Sequence, residues 1–194
     1  MKNNLKFNPQ TLVLIAIIFL ASISRLIPHM PNFSPIGAIS LFGAAFFKQK
    51  WKAFLIPVLS IWISDLFINN IIYADYYPTF TWFYNGYHWQ VMSYGAIILF
   101  GLILFKNKLT ILHLGLGGLG AGMLFFIISN FGVWINGLMY SKDLSGLLNC
   151  YIAGIPFFKG TILGNLFYIP IIFGTYTIVQ KRFPILRSTR TVFS

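Results

Sequence analysis

Apolar residues fall along this chain in blocks separated by short polar, charged or proline-rich connections. Six blocks run approximately over 11–27, 34–47, 53–72, 91–106, 109–135 and 160–180. Roughly 20 apolar residues cross the hydrocarbon core of a bilayer as a helix, so such blocks read as membrane spans. The expected fold is all-α: a polytopic membrane protein with six transmembrane helices, forming a single integral membrane domain over 1–194. A seventh apolar piece, 144–158, is short and reads as a re-entrant or surface helix on the outer side. The block 34–47 is short too. At ~1.5 Å per residue it reaches about 21 Å of a roughly 30 Å core. The connection ahead of it, Pro28–Pro35, is therefore drawn below the membrane surface. Backbone at that depth must be buried in protein or line a wet cavity, because lipid satisfies no N–H or C=O group. The stretch from Arg25 to Pro35, with its cation, imidazole, amide and three prolines, reads as the wall of a polar pocket.

Composition agrees with a membrane setting. Hydrophobic residues make up 57% of the chain and charged residues only 9%, against about 25% charged in soluble domains. Three acids, Asp65, Asp75 and Asp143, face 14 Lys and Arg, a net charge of +11. In the six-span reading, 11 of those cations (Lys2, Lys6, Lys48, Lys50, Lys52, Lys106, Lys108, Lys181, Arg182, Arg187, Arg190) lie on one side. Arg25, Lys142 and Lys159 lie on the other. Cytoplasmic loops keep the excess of Lys and Arg, so both termini are expected in the cytoplasm. The basic balance is then a topology signal for a protein whose partner is the lipid bilayer, and no nucleic-acid partner is expected. Lys2 and Lys6 before the run Leu12–Ala21 also match a secretory signal peptide; in a polytopic chain an uncleaved first span is the better reading. Cys150 is the only cysteine, which excludes an intramolecular disulfide.

Small residues mark close approaches. Gly118 with Gly122, and Gly160 with Gly164, have GxxxG spacing in apolar surroundings. The stretch 115–122, five glycines in eight residues, reads as a close-packing face or a broken helix. Pro57 and Pro170 predict kinks. Between Tyr73 and Trp89, nine of 17 residues are aromatic, read as an interfacial belt or as a lid over a ligand.

Topology also places the polar residues in depth. Arg25, His29, Asn32, Asp65, Asn130, Trp134, Lys159 and Asn165 all fall in the outer half of their spans or beyond, and these eight are the candidate ligand-binding residues. An Asp at a helix centre costs about 2.5–3.5 kcal/mol on insertion scales, so Asp65 needs a partner, a wet cavity or protonation. Arg25 is the natural partner, Lys159 the second. The pair reads either as structural glue between spans one and three or as part of a substrate or ion site. His29, between Pro28 and Pro31, reads as a polar contact to ligand or to Asp65. Asn130 and Asn165 read as interhelical hydrogen bonders or as pocket lining. No catalytic residues, cofactor or metal site are expected. The chain has no Glu and hence no HExxH zinc motif, no P-loop and only one acid within a span.

The string Arg-Leu-Ile-Pro-His-Met-Pro-Asn-Phe-Ser-Pro-Ile-Gly-Ala, 25–38, resembles the opening signature of a bacterial family of uncharacterised six-helix membrane proteins. Matches at 41–44, 64–66, 129–134, 150–158 and 164–168 extend that resemblance over most of the chain. It implies the inner (cytoplasmic) membrane of a bacterium, and it implies a fold rather than a reaction. The architecture is also similar to the S components of energy-coupling-factor vitamin transporters, with six helices, cytoplasmic termini and an outward-opening pocket. That resemblance implies uptake of a vitamin- or cofactor-like small molecule and an ATP-hydrolysing transporter module as partner. Within it, His29 and Asp65 correspond to pocket residues of the cobalamin-specific group, whose metal-binding cysteine has no counterpart in 66–90. Three functions follow as expectations: small-molecule binding or uptake first, a structural or assembly subunit second, and an intramembrane enzyme using His29 and Asp65 third.

Overall fold

The computed structural model describes residues 8–186. These form six α-helices: α1 (Pro9–Ile23), α2 (Ile36–Phe46), α3 (Lys50–Phe67), α4 (Tyr87–Leu104), α5 (Ile111–Asn136) and α6 (Leu144–Arg182). No strand occurs among the described residues. Local chemistry sets the helix starts. The Asn8 side chain accepts from the Gln10 N–H with Pro9 in the first turn, Thr110 accepts from the His113 N–H, and Asp143 accepts from the Gly146 N–H. The Gly146 N–H, with the Ser141 hydroxyl, holds the exposed Asp143 carboxyl below its usual range.

Five helices are long and apolar enough to cross a membrane once short extensions are counted: Pro9–Leu26, Lys50–Ile72, Tyr87–Leu104, Ile111–Asn136 and Leu144–Arg182. The chain is thus an all-α polytopic membrane protein. The sixth helix, α2, has only 11 residues and spans ~16 Å, half the hydrocarbon core. All 11 are buried, and α2 touches each of the other five helices. Its sequence explains this. A helix apolar all round has no face to give to water, and Gly37, Ala38, Gly43, Ala44 and Ala45 keep it thin enough to be surrounded. The other five helices form a wall around this half-length central post.

The basic ends of the helices converge. Gln10 of α1 donates to the Tyr176 hydroxyl of α6, Phe46 of α2 packs on Tyr176, and Phe105 after α4 packs on Phe173. Lys48, Lys50, Lys52, Lys106, Lys181 and Arg182 therefore share one end of the bundle. Lys2, Lys6, Arg187 and Arg190 lie outside the described residues.

Segment 144–158 is not a separate helix. It is the first part of α6, a single 39-residue helix about 58 Å long. Nothing in the sequence stops it: Pro156 and Pro170 each remove one ladder hydrogen bond without breaking it, and Gly160 is held by packing. Lys159 stands 23 residues from Arg182, about 35 Å along the axis, which places it one hydrocarbon thickness from the basic end. Residues 144–158 extend beyond it. Likewise α5 runs unbroken through its glycine-rich stretch. Those glycines seat neighbours, Gly118 receiving Ile169, Gly122 receiving Ile162, and Gly117 receiving Leu41 and Phe105.

Candidate functional site: an interior cavity above the central helix

Because α2 is short, the chain between α1 and α2 must descend into the bundle to reach it. After α1, residues Ser24–Leu26 form one 3₁₀ turn and 27–35 return as irregular backbone. This re-entrant segment lies in the groove made by Gly160 and Gly164 of α6. A Cβ on Gly160 would collide with the Pro31 carbonyl, and one on Gly164 would come within 2.7 Å of the Ser34 nitrogen and 2.9 Å of its oxygen. The small residues of α6 thus seat backbone, not another helix. Asn32 turns the segment with φ +59°, a left-handed conformation that Asn tolerates better than most residues. Asn32→Ala should destabilise the protein by about 1 kcal/mol, while Asn32→Gly should not. Equal melting temperatures for the two variants would refute strain at this position.

Above the N-terminus of α2, enclosed by this segment, by residues 68–73 after α3 and by α4–α6, lies a cavity of about 430 Å³. Arg25, His29, Asn32 and Asn165 of the expected site line it. The others are placed differently. Asp65 is behind the wall: its Oδ1 lies 2.6 Å from the Arg25 guanidinium, which also reaches the Ser64 hydroxyl at 2.5 Å and the Ile61 carbonyl at 3.2 Å. Arg25 and Asp65 are 13% and 6% exposed in their side chains, so the ion pair ties the end of α1 to α3 in a desolvated position. Tyr84, in the loop before α4, is half-buried near this pair, and burial pushes its hydroxyl above the usual tyrosine range.

Asn130 bonds the Phe126 carbonyl of its own helix and lies against Gly154, lining a second cavity of about 290 Å³ between α5 and α6. Trp134 works outside both cavities. Its Nε1 donates to the Ser141 carbonyl at 2.9 Å, while Lys142 donates to the Trp134 and Gly137 carbonyls. Together they close the α5–α6 turn. Lys159 is exposed on α6 and lines neither cavity.

His29 Nδ1 bonds the Ile27 carbonyl at 2.6 Å and its ring packs near Phe33. Asn165 is 2% exposed; its Nδ2 donates to the Gly118 carbonyl at 2.8 Å, and its Oδ1 lies against Gly37 with no hydrogen-bond partner among the described residues. The Ile36 N–H takes the Ser34 hydroxyl, leaving the N–H groups of Gly37 and Ala38 without an acceptor among the described residues. A helix start whose amides meet no protein acceptor, at the bottom of a cavity, presents donors to whatever fills it.

Four features of the wall escape a reading of sequence blocks. Gln90 falls one residue before the fourth apolar block. Thr161 hides inside the sixth. Phe125 looks like any other span aromatic. The fourth feature is a π-helical turn, Ile68–Ile72, that follows Asp65's helix and puts Ile68 and Ile72 on the cavity, a device frequent at functional sites. Of the aromatic run 73–89, only Tyr73 reaches the first cavity. Trp82 and Phe83 stack on Trp62 of α3, Asn70 clamps Thr81 through both its backbone groups, and most of the rings stay exposed. Among the described residues, no group of three His, Cys, Asp or Glu is placed to hold a metal.

A model of a family of unknown function, DUF6580, matches residues 5–186. The chain belongs to that family. The DUF6580 match takes in all six helices, the re-entrant segment and every residue of the cavity wall. No curated protein and no solved structure matches the chain.

Proposed function

We propose that this protein binds a small polar molecule in the 430 Å³ cavity, as the receptor of an uptake process across the inner membrane of a bacterium. One observation carries the reading: a cavity of ligand size within the bundle, whose polar groups are few, convergent and partly unpaired. The basic ends of the helices face the cytoplasm in this reading, with both termini, and the cavity opens outward. Such a protein contains no ATP-hydrolysing machinery, so transport requires a separate energising module, as for the S components of vitamin transporters. Binding rather than catalysis is supported by where the hydrogen bonds go. His29 is tied to the Ile27 carbonyl and the Ser34 hydroxyl accepts from the Ile36 N–H, so the two are not paired with each other as nucleophile and base.

The structural-subunit reading keeps one observation in its favour, the buried Arg25–Asp65 ion pair, which ties the end of α1 to α3. The two readings separate on ligand binding. In lipid nanodiscs, wild type and Asn32→Gly would be screened by thermal shift against vitamins, cofactors and their precursors. Asn32→Gly removes a cavity amide and keeps the backbone conformation. The expected result is a compound that raises the melting temperature of wild type and shifts the variant much less. Equal shifts in both, or no shift with any compound, would reject the cavity as a binding site.

A further inference from the structure

The polar groups of the first cavity fall into two sets by burial. His29, Asn32 and Tyr73 are exposed and stand at its mouth. With Nδ1 donating to the Ile27 carbonyl, the neutral His29 ring keeps Nε2 as an acceptor. Asn32 and Tyr73 can each donate and accept. The mouth therefore suits a polar body and selects no charge. It continues into the second cavity, which shares Asn32, Gln90 and Thr161 with the first and adds Ser129, Asn130 and Tyr140. That wall is mixed in the same way.

The floor is different. Ile36, at the start of α2, forms one buried cluster with Ile61 and Tyr94. Arg25 donates to the Ile61 carbonyl, and Gln90 accepts from the Tyr94 hydroxyl. A guanidinium and a carboxamide thus stand beside the first turn of α2. Asn165 reaches the same turn from α6, with Oδ1 against Gly37.

Donors dominate this floor. Of the five N–H bonds of Arg25, Asp65, Ser64 and the Ile61 carbonyl take three, which leaves two. Asp65 engages Arg25 through Oδ1 alone, and no acid lines either cavity. Gln90 commits Oε1 to Tyr94 and keeps both Nε2 hydrogens. The Gly37 N–H has no acceptor among the described residues and lies at the positive end of the α2 dipole. Thr161 donates to the Phe157 carbonyl and Ser34 accepts from the Ile36 N–H, so one hydroxyl is left to accept and the other to donate. The Pro31 and Ser34 carbonyls lie against Gly160 and Gly164. Asn165 adds a buried acceptor: its side chain is 2% exposed, Nδ2 is committed to the Gly118 carbonyl, and Oδ1 has no hydrogen-bond partner among the described residues.

A carboxylate can accept from every donor of this floor. A carboxamide meets them with one oxygen, and an ammonium with none. A phosphate brings up to a second charge, against a single cation already shared with Asp65. The Asn165 oxygen needs one donor close to the carboxylate, and a hydroxyl on the neighbouring carbon supplies it. Resting on the binding role proposed above, we infer that the ligand is a polar 2-hydroxy carboxylate. Its carboxylate sits among Arg25, Gln90 and the Gly37 N–H. Its 2-hydroxyl donates to Asn165, and its polar body extends past Asn32 and His29 to the mouth.

The test is calorimetric titration of full-length protein in phosphatidylcholine nanodiscs. The probes share a polyhydroxylated body that stays out of lipid: gluconate, 2-deoxygluconate, gluconamide, glucamine and glucitol 6-phosphate. Gluconate should bind about tenfold tighter than each of the others, the scale of a hydrogen bond to a charged group. Gln90→Glu keeps the acceptor for Tyr94 and replaces the Nε2 donor by a carboxylate oxygen. It should weaken gluconate by about tenfold or more and gluconamide much less. The Arg25→Gln/Asp65→Asn protein should bind gluconate no better than gluconamide.

Tighter binding of gluconamide or glucamine would overturn the anionic head, while the cavity still binds and the proposed function stands. Tighter binding of glucitol 6-phosphate would overturn the carboxylate. Equal binding of gluconate and 2-deoxygluconate would overturn the contact with Asn165. Binding of gluconate by Gln90→Glu as by wild type would remove the floor from recognition. No binding by any probe would overturn this inference, and the proposed function falls with it only if the vitamin and cofactor screen is also blank.

Discussion

Asp65→Ala should be the most damaging single polar substitution in this protein. The change leaves the Arg25 guanidinium buried between α1 and α3 with only the Ser64 hydroxyl and the Ile61 carbonyl as partners. Removing one member of a buried pair costs about 3–5 kcal/mol, mostly through the uncompensated charge. That corresponds to a fall of roughly 10 °C in melting temperature for a chain of this size. Arg25→Ala should cost less than Asp65→Ala if the orphaned acid takes up a proton. The combination Arg25→Gln with Asp65→Asn should recover most of the loss, because a neutral pair of similar shape still hydrogen-bonds across the two helices. A double-mutant cycle on melting temperature measures the coupling. Melting of Asp65→Ala within a degree or two of wild type would show that the pair holds nothing together. The double variant also separates structure from function. Arg25 lines the cavity and Asp65 does not, so a loss of ligand binding in a folded Arg25→Gln/Asp65→Asn protein is assigned to the guanidinium missing from the wall.

Much of the architecture was legible because a bilayer imposes length rules on apolar blocks. Five of the six blocks overlap helices long enough to cross, and the charge asymmetry correctly grouped the basic ends of the described helices. The block 34–47 carried the most information. Its shortness predicted a submerged connection, and α2 with its re-entrant lead-in is the result. The reading of 144–158 failed for a complementary reason. Length rules assume that a helix stops at the membrane surface, whereas α6 continues about 22 Å past Lys159, and helix propensity alone contains no signal for depth.

The site was legible to a lesser degree. Arg25, His29, Asn32 and Asn165 could be gathered because polar residues at membrane depth are rare enough to stand out. Depth alone does not say which side of a helix a residue occupies, so Asp65, Trp134 and Lys159 were grouped with them despite facing elsewhere. Asp65 turns toward α1, Trp134 closes a turn and Lys159 faces outward. Gln90 is the instructive omission. It lies at a block edge, where an amide looks like ordinary loop chemistry. Only the Tyr94 hydroxyl, one helical turn on, fixes its orientation and leaves a donor free.

Gly160→Val and Gly164→Val should abolish the cavity. In most membrane bundles a GxxxG pair brings two helices together, and a valine there weakens one packing contact. Here the partner is the backbone of Pro31–Ser34, which has no rotamer to relieve a clash. The added side chain must push the re-entrant segment off α6. Overpacking of this kind costs about 1–3 kcal/mol, and the larger consequence is geometric. His29, Asn32 and Ser34 all ride on the displaced segment, and the Ser34 hydroxyl accepts from the first N–H of α2. Both variants should therefore lose ligand binding entirely while keeping far more stability than Asp65→Ala. Gly174→Val is the internal control, since a Cβ at Gly174 meets nothing within 4 Å; it should bind as wild type does. Unimpaired binding by Gly160→Val would mean that the segment 27–35 does not form the cavity wall. Parallel loss of fold and binding, to the extent seen with Asp65→Ala, would mean that the groove on α6 serves stability and not the site.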